Sequence, residues 1–160
     1  MQKVIFDACT YSNFVLAEAF WVLEKLFKNE LVMTYLVKQE IEKGFSRHPK
    51  LMMLNNHVAN RALEILTVTY EQELALMAEL PNVLSDADKS CIAVAQKRQQ
   101  IIASDDECLS REAKNLRIKV IGTTKIISMA IENKILKCRE ANDLLERMQK
   151  EANFFTSKRF

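Results

Sequence analysis

Ala87 to Gly122 reads ADKSCIAVAQKRQQIIASDDECLSREAKNLRIKVIG, and its changes of period decide the fold. Across Ala87–Gln99, Cys91, Ile92 and Ala95 follow Asp88 at helical spacing and mark one apolar face. Ile101–Ser104 is an apolar run too short for a helix, and two aspartates end it. Glu107–Leu116 returns to helical spacing, and Ile118–Ile121 is a second short apolar run, stopped at Gly122. Strands alternating with helices of roughly 10–15 residues are the pattern of parallel β-α-β units. The chain is therefore expected to be an α/β domain of three layers, α/β/α, around a central, mostly parallel sheet.

The same reading extends outward. Lys3–Phe6 and Leu31–Thr34 read as strands, the first ending at Asp7. Phe14–Lys28 reads as one helix, apolar nearly all round, which means deep burial or a face shared with a partner. Tyr35–Lys43 reads as a helix stopped by Gly44, and Arg47–Arg61 as helical after Pro49. Leu63–Thr69 reads as a strand, and Glu71–Leu80 as a helix halted by Pro81. Beyond the opening stretch, Thr123–Asn133 and Arg139–Ala152 are helical. The second carries a clean stripe at Ala141, Leu144, Leu145 and Met148. The tail after Asn153 ends in Ser157-Lys158-Arg159-Phe160 and reads as mobile.

Composition narrows the chemistry. Of 160 residues only two are glycine and two proline, so no clustered glycines can cradle a phosphate. A turn-dense all-β fold is excluded by the same scarcity. The length suits one domain with a proper core. A formal net charge of +2 neither announces nor excludes a nucleic-acid partner, because a local patch suffices. Cys9, Cys91, Cys108 and Cys138 form no C-x-x-C pair, which argues against zinc and for reduced cysteines used as small hydrophobes. With no secretory signal and no run near the roughly 20 apolar residues of a membrane span, a cytoplasmic chain without a membrane partner is expected.

Four sets of carboxylates break the pattern. Asp7 follows Val4-Ile5-Phe6, and Asp105 and Asp106 follow Ile101–Ser104, so acids stand at the carboxyl ends of two strands. Ligands of parallel sheets bind there. Glu40 falls within the stripe of Leu36, Val37 and Ile41, and Asp88 stands at the N-terminal end of its helix's buried face. Each has an ordinary structural use: a helix cap, a helix-start acid or an edge carboxylate with a basic partner. Together they can converge on one edge of a sheet, where like charges would raise one another's pKa. A divalent cation relieves that repulsion, and hard oxygen donors suit Mg²⁺ or Mn²⁺. Such a cluster is equipment for phosphodiester hydrolysis, since the metal acidifies water and stabilises charge on the phosphate.

Four ordered blocks carry a resemblance: Val4-Ile5-Phe6-Asp7, Val37-Lys38-Gln39-Glu40-Ile41, Asp88 through Ala95, and Ile102-Ala103-Ser104-Asp105-Asp106. In this the chain resembles the PIN-domain family, over roughly Lys3 to Leu136. The run from Leu109 to Thr123 resembles the family's helix, strand and turn after its last acid. The resemblance implies residues 1–136 as a nuclease domain; outside it, 137–160 are expected to be a C-terminal helix and tail packed on the same domain. It implies a Mg- or Mn-dependent endoribonuclease with Asp7, Glu40 and Asp88 as metal ligands. The fourth acid is Asp106, two residues after Ser104, or else Asp105; Ser104 supports a ligand carboxylate. It also implies an RNA substrate, and for VapC-like members a toxin silenced by an antitoxin protein, often as a homodimer. The chain departs from the family in Ser85-Asp86-Ala87, where glycine is frequent in relatives, and in its extra C-terminal stretch.

Lys89, Arg111 and Lys114, with Lys97, Arg98, Arg117 and Lys119, are candidates to meet RNA phosphates, against the ordinary reading of solvated helix faces. Tyr11, Phe14 and Trp21 are weighed as base-stacking residues against core or dimer contacts. His48 and His57 read as surface residues, and Cys9 has no histidine placed to activate it as a nucleophile. Phe14–Phe27 is the expected dimer or antitoxin surface. The rival function is an interaction or regulatory protein on the same fold with little or no nuclease activity.

Overall fold

The computed structural model describes residues 2–160. Five strands, β1 (Val4–Phe6), β2 (Leu31–Thr34), β3 (Glu64–Leu66), β4 (Ile101–Ala103) and β5 (Val120–Ile121), form one parallel sheet in the order β3-β2-β1-β4-β5. Val4 lies opposite both Leu31 and Ile101, so β1 is the central strand. Every residue of β1 and β2 is buried, as expected for strands covered on both faces. Around the sheet lie α1 (Ala8–Leu16), α2 (Phe20–Phe27), α3 (Tyr35–Glu42), α4 (Met53–Ala59), α5 (Glu71–Glu79), α6 (Asp86–Arg98), α7 (Glu107–Asn115), α8 (Thr123–Glu132) and α9 (Cys138–Ala152). One layer holds α5, α6 and α7, with α6 laid across β1, β2 and β4. The other holds α1, α2, α8 and α9. The three-layer α/β/α architecture expected from the sequence is the one observed.

The strand order has a direct consequence. From β1 the chain steps outward to β2 and β3, then crosses back to β4 on the other side of β1 and continues to β5. The order of connection therefore reverses between β1 and β4, the switch point of a parallel sheet, beyond whose carboxyl ends ligands bind. Asp7 and Ser104–Asp106 are the residues that leave those two strands.

The main local correction concerns Phe14–Lys28, which is two helices rather than one. The chain breaks at Ala17–Ala19, where Glu18 takes a left-handed φ of 56° and the Ala19 amide donates to the Phe14 carbonyl at 2.8 Å. Neither glycine nor proline marks the break, so periodicity alone runs through it. Because the two helices point different faces inward, Phe14, Ala17, Val22, Leu23 and Phe27 are all buried within the chain. Of the apolar surplus expected to cover a partner, Trp21 is the large side chain left out, at 40% exposure. Helix α1 also begins earlier than expected, at Ala8, with Asp7 as its cap.

Other readings shift in smaller ways. Pro49–Met52 is a 3₁₀ turn before α4, and β3 and β5 are shorter than the apolar runs that announced them. Gly44 has no left-handed φ; α3 ends at Glu42 in an ordinary turn. Tyr11 is fully buried and cannot stack on a base. Its hydroxyl meets Nδ1 of His57 at 2.8 Å, and His57 stacks on Phe20 at 3.6 Å between ring centres instead of lying free on the surface. Only Cys91 of the four free cysteines is buried; Cys9 and Cys138 are exposed. The C-terminal tail is tied back to α9, where Asn142 exchanges two 3.0 Å hydrogen bonds with the Phe160 backbone.

One buried charge pair was not anticipated. Glu73 is fully buried and accepts from Arg98 Nε at 2.8 Å and Nη2 at 3.1 Å, and from the Thr69 and Tyr70 amides. Burial pushes its pKa up, but these donors outweigh that and leave the carboxyl below its ordinary value. The pair bolts α5 to the end of α6.

Candidate metal centre

Asp7 is the innermost acid. It is 3% exposed and uses both oxygens: Oδ1 accepts from the Thr10 amide at 2.7 Å and Oδ2 from the Ser104 hydroxyl. Burial pushes its pKa up to about 6, against the pull of the Ser104 and Thr10 hydrogen bonds and with added repulsion from Asp105. Ser104 also accepts from the Asp106 amide at 3.0 Å, so one hydroxyl joins the turn after β4 to the acid after β1.

Glu40 and Asp88 approach from α3 and α6. Glu40 is exposed at the edge rather than buried in its helix's apolar stripe. Its pKa is nonetheless raised, first by partial loss of water and then by Asp88, with Lys43 opposing. The two helices are held in place by a buried contact between Thr34 Oγ1, the cap of α3, and Ser90 Oγ in α6, at 2.7 Å. Asp88 is half-buried and closes a capping box with Ser85, whose hydroxyl donates to Oδ2 at 2.9 Å. Ser85 caps the helix, and Asp86 is its first residue. The Ser-x-x-Asp spacing was legible as such a box.

Cys9 reports where these acids point. Although the residue is exposed, its thiol is pushed up to about 11, first by partial loss of water around the sulfur and then by Asp7, Glu40, Asp88 and Asp106. Four carboxylates from four separate segments act on one sulfur. That environment suppresses the thiolate, so Cys9 is chemically quiet. Buried Cys91, beneath, is raised well above its ordinary value by burial, and Asp7, Asp88 and Glu40 add to it.

Asp105 and Asp106 part company. Asp105 is consumed by its surroundings: Oδ1 accepts from the Thr123 amide at 2.8 Å, and Oδ2 from the Thr123 hydroxyl, with Thr10 and Asn13 each at 3.5 Å. It latches β4 to the start of α8 and to α1. Asp106 caps α7 through Oδ1, accepting from the Leu109 amide at 2.6 Å, and leaves Oδ2 without a partner among the described residues. Thr10, Asn13 and Thr123 were not singled out in the sequence, because nothing local links residues so far apart.

Among the described residues, no three His, Cys, Asp or Glu side chains are arranged to hold a metal ion. Asp88 and Asp106 each bend one oxygen onto a helix terminus, and Asp7 rests on Thr10 and Ser104. The chemistry of the donor set still fits a hard divalent cation. All four groups are carboxylates, and none joins a salt bridge among the described residues. Their charge is unneutralised at the switch point of the sheet.

The basic residues sort by position. Lys89 is buried and donates to Asn82 Oδ1 at 3.2 Å, so it does not face solvent. Arg98 is bound to Glu73 and, with Lys97, ends α6 on the side away from Asp88. Arg117 and Lys119 precede β5 and sit at the amino end of the sheet. Arg111 and Lys114 are exposed on α7, and Arg111 is the one a turn from the acid end.

Residues 3–160 match the family model described as DUF3368, a PIN domain, and the chain belongs to that family. PIN domains are generally nucleases that bind nucleic acid and use divalent metals. No curated protein matches the chain. Two archaeal structures share the fold. One is a PilT N-terminus domain protein, SSO1118, from the hyperthermophile Sulfolobus solfataricus P2, at 15% identity over 81% of this chain and 93% of that one, with a TM-score of 0.55. The other is PAE2754 from Pyrobaculum aerophilum, at 16% identity over 81% and 90%, with a TM-score of 0.57. Among the described residues no helix is long and apolar enough to cross a membrane.

Proposed function

We propose that the chain is a Mg²⁺- or Mn²⁺-dependent endoribonuclease whose cation is held by Asp7, Glu40, Asp88 and Asp106. What supports this reading is that these four carboxylates, none of them in a salt bridge among the described residues, come from the segments after β1 and β4 and from α3 and α6, and that each raises the pKa of the Cys9 thiol. When bound, the cation would supply an acidified water and neutralise the charge that develops on the phosphate. Ser104 orients Asp7 through its hydroxyl, and the Thr34–Ser90 contact sets α3 against α6. Asp105 stays a structural latch in this scheme, which makes Asp106 the fourth acid. Cys9 takes no covalent part, because its thiol is held protonated.

Calorimetry with MnCl₂ and MgCl₂, beside cleavage of an RNA pool, tests the reading. Wild-type protein should bind Mn²⁺ and cut RNA; Asp7→Asn and Asp88→Asn should lose at least about a hundredfold in rate. A fully active Asp88→Asn protein would falsify the site. The engagement of Asp7, Asp88 and Asp106 with local donors favours the second reading, a PIN-fold interaction protein with little or no nuclease activity. Absence of Mn²⁺ binding that Asp7→Asn leaves unchanged would decide for it. A toxin role, with a partner antitoxin, predicts a small upstream open reading frame whose product suppresses cleavage. A homodimer predicts twice the monomer mass by light scattering.

A further inference from the structure

A cavity of about 290 Å³ opens directly beside the acids, between α1, α3 and the end of α9. Cys9 and Glu40 belong to its lining, so it is continuous with the candidate metal centre. Its walls are apolar at Leu16, Ile41 and Leu51, and its polar atoms come from Ser12, Asn13 and, at the rim, His48. We infer that this cavity takes the nucleobase of the nucleotide next to the scissile phosphate, and that Ser12 and Asn13 select it; this rests on the nuclease reading above.

The volume is at the small end of the range of about 300–1,000 Å³ for small-molecule sites, which suits a single base and not a helix of a protein partner. A flat π-face against aliphatic walls with a few polar atoms at one side is how single-stranded bases are held. The polar atoms also set a preference. Asn13 must turn its Nδ2 toward Asp105, which can only accept, and the same nitrogen lies 3.3 Å from Thr123 Oγ1. Its Oδ1 is thereby left as an acceptor, unpartnered and not sealed from solvent among the described residues. With Glu40 also at the border, acceptors dominate, so a base with an exocyclic amine fits better than uracil. Ala152, the last residue of α9, forms part of the wall. The end of the C-terminal helix thus shapes the pocket, which gives Ala152 a place in substrate selection.

The test is a randomised RNA pool whose cut ends are sequenced after digestion by wild type, Ala152→Phe and Trp21→Ala. Ala152→Phe adds a ring to the cavity wall at the last residue of α9. Trp21→Ala alters a separate cavity that contains none of the acids. Wild type should disfavour uracil at one flanking position by about tenfold, the worth of one to two hydrogen bonds. Ala152→Phe should reduce that to under about twofold, and Trp21→Ala should keep it. An unchanged preference in Ala152→Phe, with cleavage intact, overturns the pocket and leaves the nuclease standing. A second readout does not need cleavage: amide NMR shifts on titration with cytidine and uridine 5′-monophosphate. Cytidylate should move the Ser12 and Asn13 amides in wild type and not in Ala152→Phe. That result in a protein that cuts no RNA supports the pocket while the nuclease reading fails; no shift at either amide overturns the pocket.

Discussion

Gly122→Ala is expected to destabilise the protein although its backbone suits any residue. Gly122 has φ −88° and ψ 172°, an ordinary extended conformation. Replacing glycine in such a conformation normally stabilises by about 0.4–1 kcal/mol through the unfolded chain. Here a Cβ would stand 2.6 Å from Asp105 Oδ1. The carboxylate would have to swing away, loosening its bonds from the Thr123 amide and hydroxyl. Hydrogen bonds to a charged group contribute about 1.5–3 kcal/mol each, and Thr123 is fully buried, so water cannot replace them freely. Allowing for partial relaxation and the entropy gain, the net loss should be about 2–4 kcal/mol, or roughly 5–15 °C in Tm for a chain of this size. Thermal and urea melts of Gly122→Ala, Asp105→Ala and the double variant measure it. In the Asp105→Ala background the glycine substitution should become neutral or mildly stabilising. Equal cost in both backgrounds would refute the idea that Gly122 is small in order to admit Asp105.

Three further outcomes follow from the same structure. Glu73→Ala should cost about 2–3 kcal/mol, since it strands the Arg98 guanidinium that α6 brings to α5; a urea melt within error of wild type would contradict the buried pair. Burial holds the His57 imidazole down at about 4, so between pH 6.5 and 4 the unfolded chain binds the extra proton and stability falls as pH drops. Because the ring is only partly buried, the loss is about 1–2 kcal/mol, seen as a steeper acid limb in wild type than in His57→Phe. Arg111→Ala should weaken RNA binding and lower its salt slope by about one, whereas Lys89→Ala should lower stability with the salt slope unchanged. The reverse pattern in anisotropy titrations would mean that the basic residues have been assigned to the wrong ends.

The acids illustrate what was legible. Asp7, Glu40, Asp88 and Asp106 stood out because each breaks a local pattern, and local patterns survive in a linear string. What distinguishes the surroundings of Asp105 from those of Asp106 did not, because it rests on Thr10, Asn13 and Thr123, which lie 95, 92 and 18 positions from Asp105. The same limit explains Phe14–Lys28. Its apolar spacing is helical throughout, but the break at Glu18 carries neither glycine nor proline to announce it. Lys89 and Arg98 looked like solvated cations until Asn82 and Glu73 were found against them.

The near absence of glycine excluded a backbone phosphate cradle from the sequence alone, since that exclusion needs only composition. Alternation of short apolar runs with helices was enough for a parallel three-layer domain, because hydrophobic period is a property of neighbours along the chain. Tertiary structure alone decided the strand order, and with it the switch point between β1 and β4 that Asp7 and Ser104–Asp106 follow. It also gave Gly122 a meaning beyond ending a strand: a side chain there would collide with Asp105. The physical reason is the same throughout. Burial, repulsion between like charges and hydrogen bonding across the sheet act through space, on residues that the sequence holds far apart.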